Sequence, residues 1–384
     1  MDKIKIVHAA DMHFDTPFKG IGSKQGKISR EELKETFKNI VDFCNETNAQ
    51  IFLIAGDIFD NMTLSKETIF FLENVFKDLK NTRVFISPGN HDPYNENSFY
   101  KLVNWPENVH IFKGSLEKVY LSDLNVNIWG AAFNERYERE SLLKSFSVNS
   151  DKINILVMHG EVTKGLDKNE YNPIAINEIE NSNFDYIALG HRHKFSGIKK
   201  AGNTFYAYSG CIQGRGFDEL EDKGIIYGYV FKHKVELEFK RMSKRNYYVK
   251  NIDVSGILGY SELKEKILNA IPQKERMINF YKVIIKGEVS DEFNINEEVI
   301  KSKLDDEFYY IKIKDKTSKK IDIDKLCKGY SVKSIFAKYM MKELKNIKNS
   351  NLTDIDEQEE VIKMAFKYGI EALTDNEVNS LWLY

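Results

Sequence analysis

Residues 51–60, IFLIAGDIFD, decide how this chain folds. The apolar run Ile51–Ala55 predicts a buried strand, and Gly56 lets the backbone turn so that Asp57 lies on the loop that follows. Four further motifs have the same arrangement, each after a predicted strand: Asp11-Met12-His13, Gly89-Asn90-His91-Asp92, Met158-His159-Gly160 and Gly190-His191-Arg192-His193. Because ligands bind at the carboxyl edge of open α/β sheets, we expect all five motifs at one such edge.

Short apolar runs and longer amphipathic runs alternate over the first 240 residues. Ser29–Asn48 has apolar residues at helical spacing, and Ser29 followed by Glu32 predicts a capping box at its start. A second helix is predicted near Ser65–Lys80. Further strands are predicted at Lys5–Ala9, Val84–Ser87, Val126–Trp129, Ile153–Met158, Tyr186–Leu189, Thr204–Tyr208, Ile225–Phe231 and Val235–Phe239. The alternation predicts a layered α/β domain, a β-sandwich flanked by helices.

The side chains of the five motifs form a chemically coherent ligand set of carboxylates, imidazoles and one amide, without a thiolate. Such mixed nitrogen and oxygen sites suit Mn²⁺, Fe²⁺ or Zn²⁺ better than Ca²⁺ or Mg²⁺. On an extended backbone Asp11 and His13 would point the same way, because strand side chains alternate. Two ions ~3.5–4 Å apart that share a carboxylate activate water for in-line attack on phosphorus. The set therefore predicts a two-metal phosphoesterase.

Composition limits the other classes of function. The chain has 384 residues, with 56 basic and 58 acidic side chains, which excludes nucleic-acid binding by bulk charge alone. Cys44, Cys211 and Cys327 form no CxxC pair, so we expect buried thiols and neither disulfides nor a cysteine zinc site. The first motif comes within about a dozen residues and no run reaches the ~18 apolar residues of a membrane span. We expect no signal peptide, no membrane contact and a cytoplasmic location.

Two smaller parts follow the α/β domain. From about residue 245 the pattern is strand, helix, strand, helix, strand, which predicts a small α+β domain without a chemical motif. From about Asp322 two amphipathic helices are predicted, Ser331–Lys345 and Asp354–Tyr368. We place the domains at residues 1–243, 244–320 and 321–384. The apolar faces of the last helices either bind a partner, pair two copies of the chain, or pack on each other or on the core.

The five motifs match, in order, the pattern D-x-H, GDxxD, GNH[DE], H and GHxH, and the chain thereby resembles the calcineurin-like metallophosphoesterase superfamily. The resemblance implies two metal sites that share Asp57. One site would comprise Asp11, His13, Asp57 and His193, and the other Asp57, Asn90, His159 and His191. It also implies that His91 is the catalytic histidine and that Asp92 orients it.

A narrower resemblance is to SbcD-type DNA repair exonucleases, in particular their YhaO-like branch, through the opening HAADMHFDTPF and the segment Gln213-Gly214-Arg215. It implies a Mn²⁺-dependent nuclease subunit acting on single-stranded DNA or duplex ends. The small domain would cap the DNA side, and the last helices would clasp the coiled coils of an SbcC-like ATPase. Asp60 stands where archaeal and eukaryotic relatives carry a histidine that helps place the scissile phosphate.

Other functions of the same core are a small-molecule phosphodiesterase or nucleotidase, and a non-catalytic scaffold for an ATPase. A compact phosphodiesterase needs no added domain or helices, and a scaffold needs no complete ligand set. A protein phosphatase would carry Arg-Gly after GDxxD, whereas Asn61-Met62 stand here.

Substrate contacts are predicted for Asp60, Arg192 and Arg215. For Arg192 the alternative interpretation is a solvated side chain without a role in binding. For DNA we expect the stretch Arg192–Lys250 to form a basic groove with aromatic platforms. An ordinary solvated hairpin is the alternative. The cations of that stretch include Lys194, Lys199, Lys200, Lys232, Lys234, Lys240, Arg241, Lys244 and Arg245, and its aromatic residues include Phe195, Phe217, Tyr247 and Tyr248.

Overall fold

The computed structural model describes residues 2–60, 64–163, 169–320, 323–348 and 355–373. The strands are β1 Lys3–Ala9, β2 Ile51–Ile54, β3 Arg83–Ile86, β4 Val109–Ile111, β5 Glu117–Leu121, β6 Val126–Gly130, β7 Ile153–His159, β8 Glu161–Thr163, β9 Pro173–Ala175, β10 Tyr186–Gly190, β11 Lys199–Ala201, β12 Thr204–Tyr208, β13 Gly224–Phe231, β14 Lys234–Arg241, β15 Tyr247–Asp253, β16 Phe280–Val289 and β17 Tyr310–Lys319. The helices are α1 Ser23–Thr47, α2 Lys66–Val75, α3 Ile176–Ser182, α4 Tyr260–Ala270, α5 Gln273–Arg276, α6 Glu297–Leu304, α7 Ile323–Lys328, α8 Val332–Lys348 and α9 Ile355–Ala372.

Two six-stranded sheets carry the motifs. The first has the order β14-β13-β1-β2-β3-β4 and the second β11-β12-β10-β7-β6-β5. Four strands of each sheet run parallel: β1, β2, β3 and β4 in the first, where β4 is the edge strand, and β12, β10, β7 and β6 in the second. The other strands, β13 and β14 in the first sheet and β5 and β11 in the second, pair antiparallel with their neighbours. The parallel strands are mostly apolar because both of their faces are covered.

The apolar side chains form layers on both sides of each sheet. One cluster joins the inner faces of the sheets, with Ile6 and Leu53 from the first sheet and Ile155 and Ala188 from the second. A second cluster packs α1 and α2 against the outer face of the first sheet, and a third packs α3 against the second sheet. The predicted fold class, a layered α/β sandwich flanked by helices, is confirmed.

Helix α1 begins at Ser23, six residues before the predicted start, and follows Gly22. The predicted capping box is therefore wrong, because Ser29 and Glu32 both lie inside the helix. Glu32 binds Arg245, with 2.9 Å between Oε1 and Nε, and the carbonyl of Ser29 accepts from Gln213 Nε2 at 2.8 Å. Tertiary contacts, rather than capping, account for these two polar residues.

The chain divides into two compact units. The first comprises Met1–Lys250, Ile271–Val283 and Leu304–Lys312, and the second Asn251–Ala270, Ile284–Lys303 and Ile313–Tyr384. Strands β15, β16 and β17 form a third sheet in that order, and helices α4 and α6 occur in the predicted places between them. The domain boundaries at residues 243 and 320 stay a prediction.

Helices α8 and α9 pack on each other around a small core of Ala337, Met340, Phe366 and Ile370. Helix α9 runs on through Gly369 to Ala372. The last residues of the predicted third domain, 374–384, and the segment 349–354 lie outside the described residues. None of the described helices combines the length and the apolar character needed to cross a membrane.

Candidate metal centre

The carboxyl ends of the parallel strands bring the five motifs together. The backbone N–H of Asp11 donates to the carbonyl of Gly56 at 3.1 Å, and that of His13 to the carbonyl of Asp57 at 2.9 Å. The backbone N–H of His191, from the second sheet, donates to the carboxylate of Asp11 at 3.1 Å. Loops of both sheets therefore meet at one edge, as the sequence predicts.

The backbone at this edge is not extended. Asp11, His13, Asp57 and His191 have φ values of 55°, 51°, 53° and 107°, in the region that normally favours glycine. The expectation of an extended Asp11-Met12-His13 segment is therefore wrong, since β1 ends at Ala9. Such conformations cost of the order of 1–3 kcal/mol each and persist where surrounding contacts hold them. Their concentration here indicates a functional site.

Two glycines allow the loops to approach each other closely. A Cβ at Gly56, where φ is 87°, would lie 2.4 Å from His159 Nδ1. A Cβ at Gly89 would lie 2.3 Å from Asp57 Oδ1 and 2.9 Å from the His159 ring. Only glycine fits at these positions without displacing side chains of the site.

Asp57 lies between the two predicted ligand sets and is 1% exposed. Its Oδ2 lies 3.6 Å from His13 Nε2 and 3.5 Å from His159 Nε2, one histidine of each set. Its Oδ1 accepts the backbone N–H of His91 at 2.9 Å. This is the position that a bridging carboxylate needs.

The first predicted set is grouped around His13. The Nε2 atoms of His13 and His193 face each other at 3.3 Å, and Asp11 Oδ1 lies 4.0 Å from His193 Nε2. One ligand atom from each of these three side chains falls within a single cluster. Burial and the nearby Arg215 hold the pKa of His13 well below its usual value. The ring is therefore neutral, as a metal ligand must be.

The second set is grouped around Asn90. Its Oδ1 lies 2.9 Å from His159 Nε2 and 3.3 Å from His191 Nδ1. His159 Nδ1 lies 3.0 Å from the carbonyl of Ala55, which fixes Nδ1 as the protonated nitrogen and directs the Nε2 lone pair into the site. Burial and the neighbouring His159 lower the pKa of His191 to about 3. Both rings are therefore available to bind a cation.

The residues at this edge fit two divalent cations. Nitrogen and oxygen donors converge from both sheets, and each predicted ligand is buried or half-buried. The donors include no thiolate, which favours Mn²⁺, Fe²⁺ or Zn²⁺ chemistry over iron–sulfur or cysteine zinc sites.

The structure corrects the predicted partner of His91. His91 Nδ1 lies 3.2 Å from Asp60 Oδ1, and the ring of His91 meets the ring of His13 edge to face at 4.7 Å. Burial alone would lower the pKa of His91, but the hydrogen bond with Asp60 and the charge of Asp57 raise it above its usual value. Asp60, and not Asp92, is thus the acid that contacts this histidine.

Asp92 instead holds two loops together. Its carboxylate accepts five hydrogen bonds of 2.6–3.2 Å, from the backbone N–H groups of Asp57, Ile58, Phe59 and Gly89 and from the hydroxyl of Tyr100. Burial and the charge of Asp57 raise the pKa of Asp92 to about 7 in spite of these donors. The physical reason for the wrong expectation is that a fully buried carboxylate binds the backbone donors that enclose it.

Glu219 is a residue of the site that the sequence analysis missed. Its Oε1 lies 2.7 Å from His193 Nδ1 and 2.7 Å from Arg215 Nη2, and Arg215 Nη2 also lies 3.0 Å from His193 Nδ1. Burial would raise the pKa of Glu219, but hydrogen bonds from His193 and Arg215 hold it well below its usual value. The predicted substrate residue Arg215 is therefore bound to this acid. The one feature of the sequence that could have pointed to Glu219 is its spacing of four residues from Arg215.

We expect Glu219→Gln to weaken metal binding by about 10–100-fold, the usual effect of losing an acid that orients a ligand histidine. The amide keeps the shape of the side chain and still accepts from His193. It lacks the negative charge of the carboxylate, which favours the His193 tautomer with the proton on Nδ1. Calorimetric titration of the metal-free protein with Mn²⁺ measures the effect. The matched control is Glu117→Gln, since Glu117 pairs with His110 at 3.5 Å outside the motifs. Equal affinities for both variants would contradict the assignment.

Glu161 is a second missed residue, and it bears on Arg192. The Arg192 guanidinium binds Glu161 in a short ion pair, and Glu161 Oε2 lies 3.7 Å from His191 Nε2. The side chain of Arg192 is therefore paired with an acid rather than simply solvated, and because it stays 49% exposed its contact with substrate remains a prediction. Glu161 stands two residues after His159 in sequence, a spacing that places it at the same edge.

The three histidines outside the motifs have other partners. His8 is buried, its Nδ1 lies 2.9 Å from the hydroxyl of Tyr186, and burial lowers its pKa to about 3. His110 lies 3.5 Å from Glu117, and His233 Nδ1 lies 3.4 Å from Asp185. His8 is thus a hydrogen-bonded core histidine.

A double sheet whose carboxyl edge collects buried histidines, aspartates and an asparagine defines a metallophosphoesterase. The chain belongs to the calcineurin-like phosphoesterase family, whose model matches residues 4–195. This confirms the predicted family and, with it, a phosphoester hydrolase with clusters of metal-binding residues.

The narrower likeness is also confirmed. The uncharacterized metallophosphoesterase YhaO of Bacillus subtilis (strain 168) is 29% identical over 248 residues, 62% of this chain and 60% of that protein. The SbcD component of nuclease SbcCD from Staphylococcus epidermidis is 28% identical over 257 residues, 58% of this chain and 64% of that protein. The chain thus spans less than two thirds of either relative. A dimetal phosphatase from Danio rerio is a structural neighbour, 10% identical over 62% of this chain and 96% of that one, with a TM-score of 0.39.

Proposed function

We propose that this protein is a two-metal phosphodiesterase of the manganese type that cuts DNA, as an exonuclease and endonuclease. The observation that carries the proposal is the position of Asp57 Oδ2, about equally far from one histidine of each predicted ligand set. The ligands would be Asp11, His13, Asp57 and His193 for one ion, and Asp57, Asn90, His159 and His191 for the other. When bound, two such ions supply Lewis acidity toward phosphoryl oxygens and acidify water.

His91 supplies proton chemistry beside these ligands. Its side chain is 28% exposed, so a substrate can reach it, while Asp60 fixes its orientation through Nδ1. The hydrogen bond also favours the protonated ring, which can stabilise negative charge on a phosphoryl oxygen or donate a proton to the leaving oxygen. Asp60 is therefore a positioning residue, and Asp92 acts through the two loops that it joins.

The predicted basic groove is partly neutralised by its own neighbours. Lys194 lies 2.8 Å from Glu221, and Lys244 lies 3.0 Å from Glu35. Arg245 binds Glu32 and lies 3.6 Å from the ring centre of Tyr309. The stretch Arg192–Lys250 thus offers DNA fewer unpaired cations than its sequence suggests, and phosphate contacts there depend on lysines such as Lys199 and Lys200 on β11.

Cleavage of linear single-stranded and duplex DNA in Mn²⁺, beside hydrolysis of bis-p-nitrophenyl phosphate, tests the proposal. We expect both DNA forms to be degraded, activity to vanish with chelator, and Mn²⁺ to restore more of it than Mg²⁺. Hydrolysis of the small ester alone, with DNA intact both with and without an SbcC-like ATPase, would contradict the nuclease assignment. That result would favour a small-molecule phosphodiesterase or nucleotidase.

The C-terminal helices are proposed to bind the coiled coil of such an ATPase. Their shared core buries one side of each helix, while Ile335, Tyr339 and Val361 remain 63%, 61% and 56% exposed. Exposed apolar side chains on a pair of helices favour contact with a partner over contact with solvent. Co-purification with a co-expressed SbcC-like ATPase, compared for the wild type and Ile335→Glu, measures this. A doubled mass of the chain alone, lost in the same variant, would indicate a homodimer instead.

A further inference from the structure

A cavity of about 390 Å³ lies on the outer face of the second sheet, where β5 forms the sheet edge. Its lining includes Lys118, Tyr120, Asn127, Trp129, Phe146 and Lys152. These six residues are called the edge platform. They come from β5, from β6 and from the loop before β7. None of them is a residue of the metal centre.

The strand register places aromatic and basic side chains side by side. Lys118 on β5 lies opposite Trp129 on β6, and Tyr120 lies opposite Asn127. The Lys118 ammonium is 5.4 Å from the ring centre of Trp129, and the Lys152 ammonium is 3.5 Å from that of Tyr120. Tyr120 is 45% exposed, and Trp129, which lines the same cavity, is half-buried. The platform therefore presents two rings and two positive charges on one accessible face.

Neither ammonium of the platform has a carboxylate within ion-pair distance, 4.0 Å, anywhere in the described part of the chain. Lys194 and Lys244 in the predicted DNA stretch, by contrast, are paired with acids. The two platform lysines are consequently not occupied by an acid of the chain's described part and can meet an anionic ligand. An exposed ammonium over a ring is weakly held, so a ligand with a stronger affinity for the ring displaces it.

The indole ring of Trp129 is held in place by buried neighbours. Asn154 is fully buried, and its Oδ1 accepts from Trp129 Nε1 at 3.2 Å and from Asn127 Nδ2 at 2.9 Å. Phe146 meets Trp129 edge to face at 5.0 Å. The indole is thus fixed before any ligand arrives, which lowers the ordering cost of binding.

We infer that the edge platform binds single-stranded nucleic acid, with bases stacked on Tyr120 and Trp129 and phosphates at Lys118 and Lys152. Exposed aromatic rings and neighbouring cations are the two elements of sequence-tolerant strand binding. Asn154 precedes His159 by five residues on β7, so the platform lies roughly 17 Å along the strand from that predicted ligand. Strand binding at the edge platform goes beyond the proposed hydrolysis, because it requires no cleavage.

Fluorescence anisotropy with a short labelled oligothymidylate tests the inference, in the full chain carrying His91→Ala so that the probe stays intact. We expect Lys118→Ala with Lys152→Ala to weaken binding at least tenfold and to reduce the salt slope by ~1.4, two phosphates at 0.7 each. Tyr120→Leu should weaken binding by roughly tenfold through lost stacking, with no change in that slope. The matched control is Lys3→Ala, since Lys3 lies 4.2 Å over Tyr229 outside the cavity.

The inference would be overturned by an unchanged affinity of the lysine variant for the oligonucleotide, or by an equal loss of affinity in the Lys3→Ala control. It would also be overturned if the lysine variant lost affinity equally for a blunt duplex, whose bases are not available for stacking. Poly-glutamate or a mononucleotide bound as tightly as the oligonucleotide would also overturn it. The same lysine variant, with His91 intact, should hydrolyse bis-p-nitrophenyl phosphate at the wild-type rate. Failure of strand binding and failure of the proposed hydrolysis are therefore seen in separate measurements.

Discussion

Asp57→Asn should abolish the binding of both metal ions, and hydrolysis with it. Among the residues that the structure describes, Asp57 is the one carboxylate within 3.6 Å of histidines from both predicted ligand sets. An amide supplies one weak neutral donor in place of an anionic bridge, so the two cations would repel each other without compensation. Metal content after dialysis against Mn²⁺ measures the loss, with two ions per chain expected for the wild type and fewer than one for the variant.

The same substitution should stabilise the metal-free protein. Asp11, Asp57 and Asp92 are buried close together, and burial, with the charge of Asp57 among its neighbours, raises the pKa of both Asp11 and Asp92. Removing the charge of Asp57 relieves this repulsion, and about 1 kcal/mol of relief raises Tm by roughly 1–2 °C in a chain of this length. Added Mn²⁺ should stabilise the wild type, by about 2.7 kcal/mol at a hundred times Kd, and leave the variant unchanged.

Asp185→Asn is the matched control for that experiment. Asp185 is also fully buried, but it accepts from the backbone of Asn154 at 2.7 Å and pairs with Lys232. Its loss should lower Tm with and without metal, and metal content should stay at two. If Asp57→Asn bound two ions, or if its metal-free form melted well below the wild type, the bridging role would be wrong.

Sequence patterns predicted the edge of the sheets because the motifs are local and the topology is parallel. An apolar run followed by glycine and a polar ligand specifies one strand end, as at Gly56-Asp57. Parallel strands necessarily place such ends side by side, so five local signals were enough to assemble the centre. Strands β4, β8 and β11, of three residues each, were too short to leave a periodic signal.

The features that sequence analysis missed depend on long-range contacts or on backbone geometry. Glu219 follows its partner His193 by 26 residues, and neither strand period nor helix period connects the two. The left-handed backbone of Asp11 and His13 is set by hydrogen bonds to the loop around Asp57. Asp92 is adjacent to His91 in the sequence, whereas Asp60 precedes it by 31 residues, and the fold decides that Asp92 binds backbone while Asp60 binds the ring.

His91→Ala should reduce kcat by roughly 10²–10⁴-fold, the usual contribution of a general acid or base, while both metal ions remain bound. The imidazole of His91 contacts Asp60 and lies over His13, but its ring belongs to neither predicted ligand set. Hydrolysis of bis-p-nitrophenyl phosphate and metal content are measured on the same samples. His110→Ala, which removes a histidine outside the motifs, should change neither quantity.

Asp60→Asn separates the acid that contacts His91 in the structure from Asp92, the acid that the sequence pattern predicts to orient it. If Asp60 positions the ring, the variant should lose part of kcat, keep its metals and hydrolyse fastest at a lower pH, because loss of the carboxylate lowers the pKa of His91. The protonated ring then persists over a narrower range, and activity declines earlier as the pH rises. Asp92→Asn, by contrast, should lower Tm by loosening the loops around Gly89 and Asp57. A wild-type pH profile for Asp60→Asn, together with a shifted profile for Asp92→Asn, would return the orienting role to Asp92.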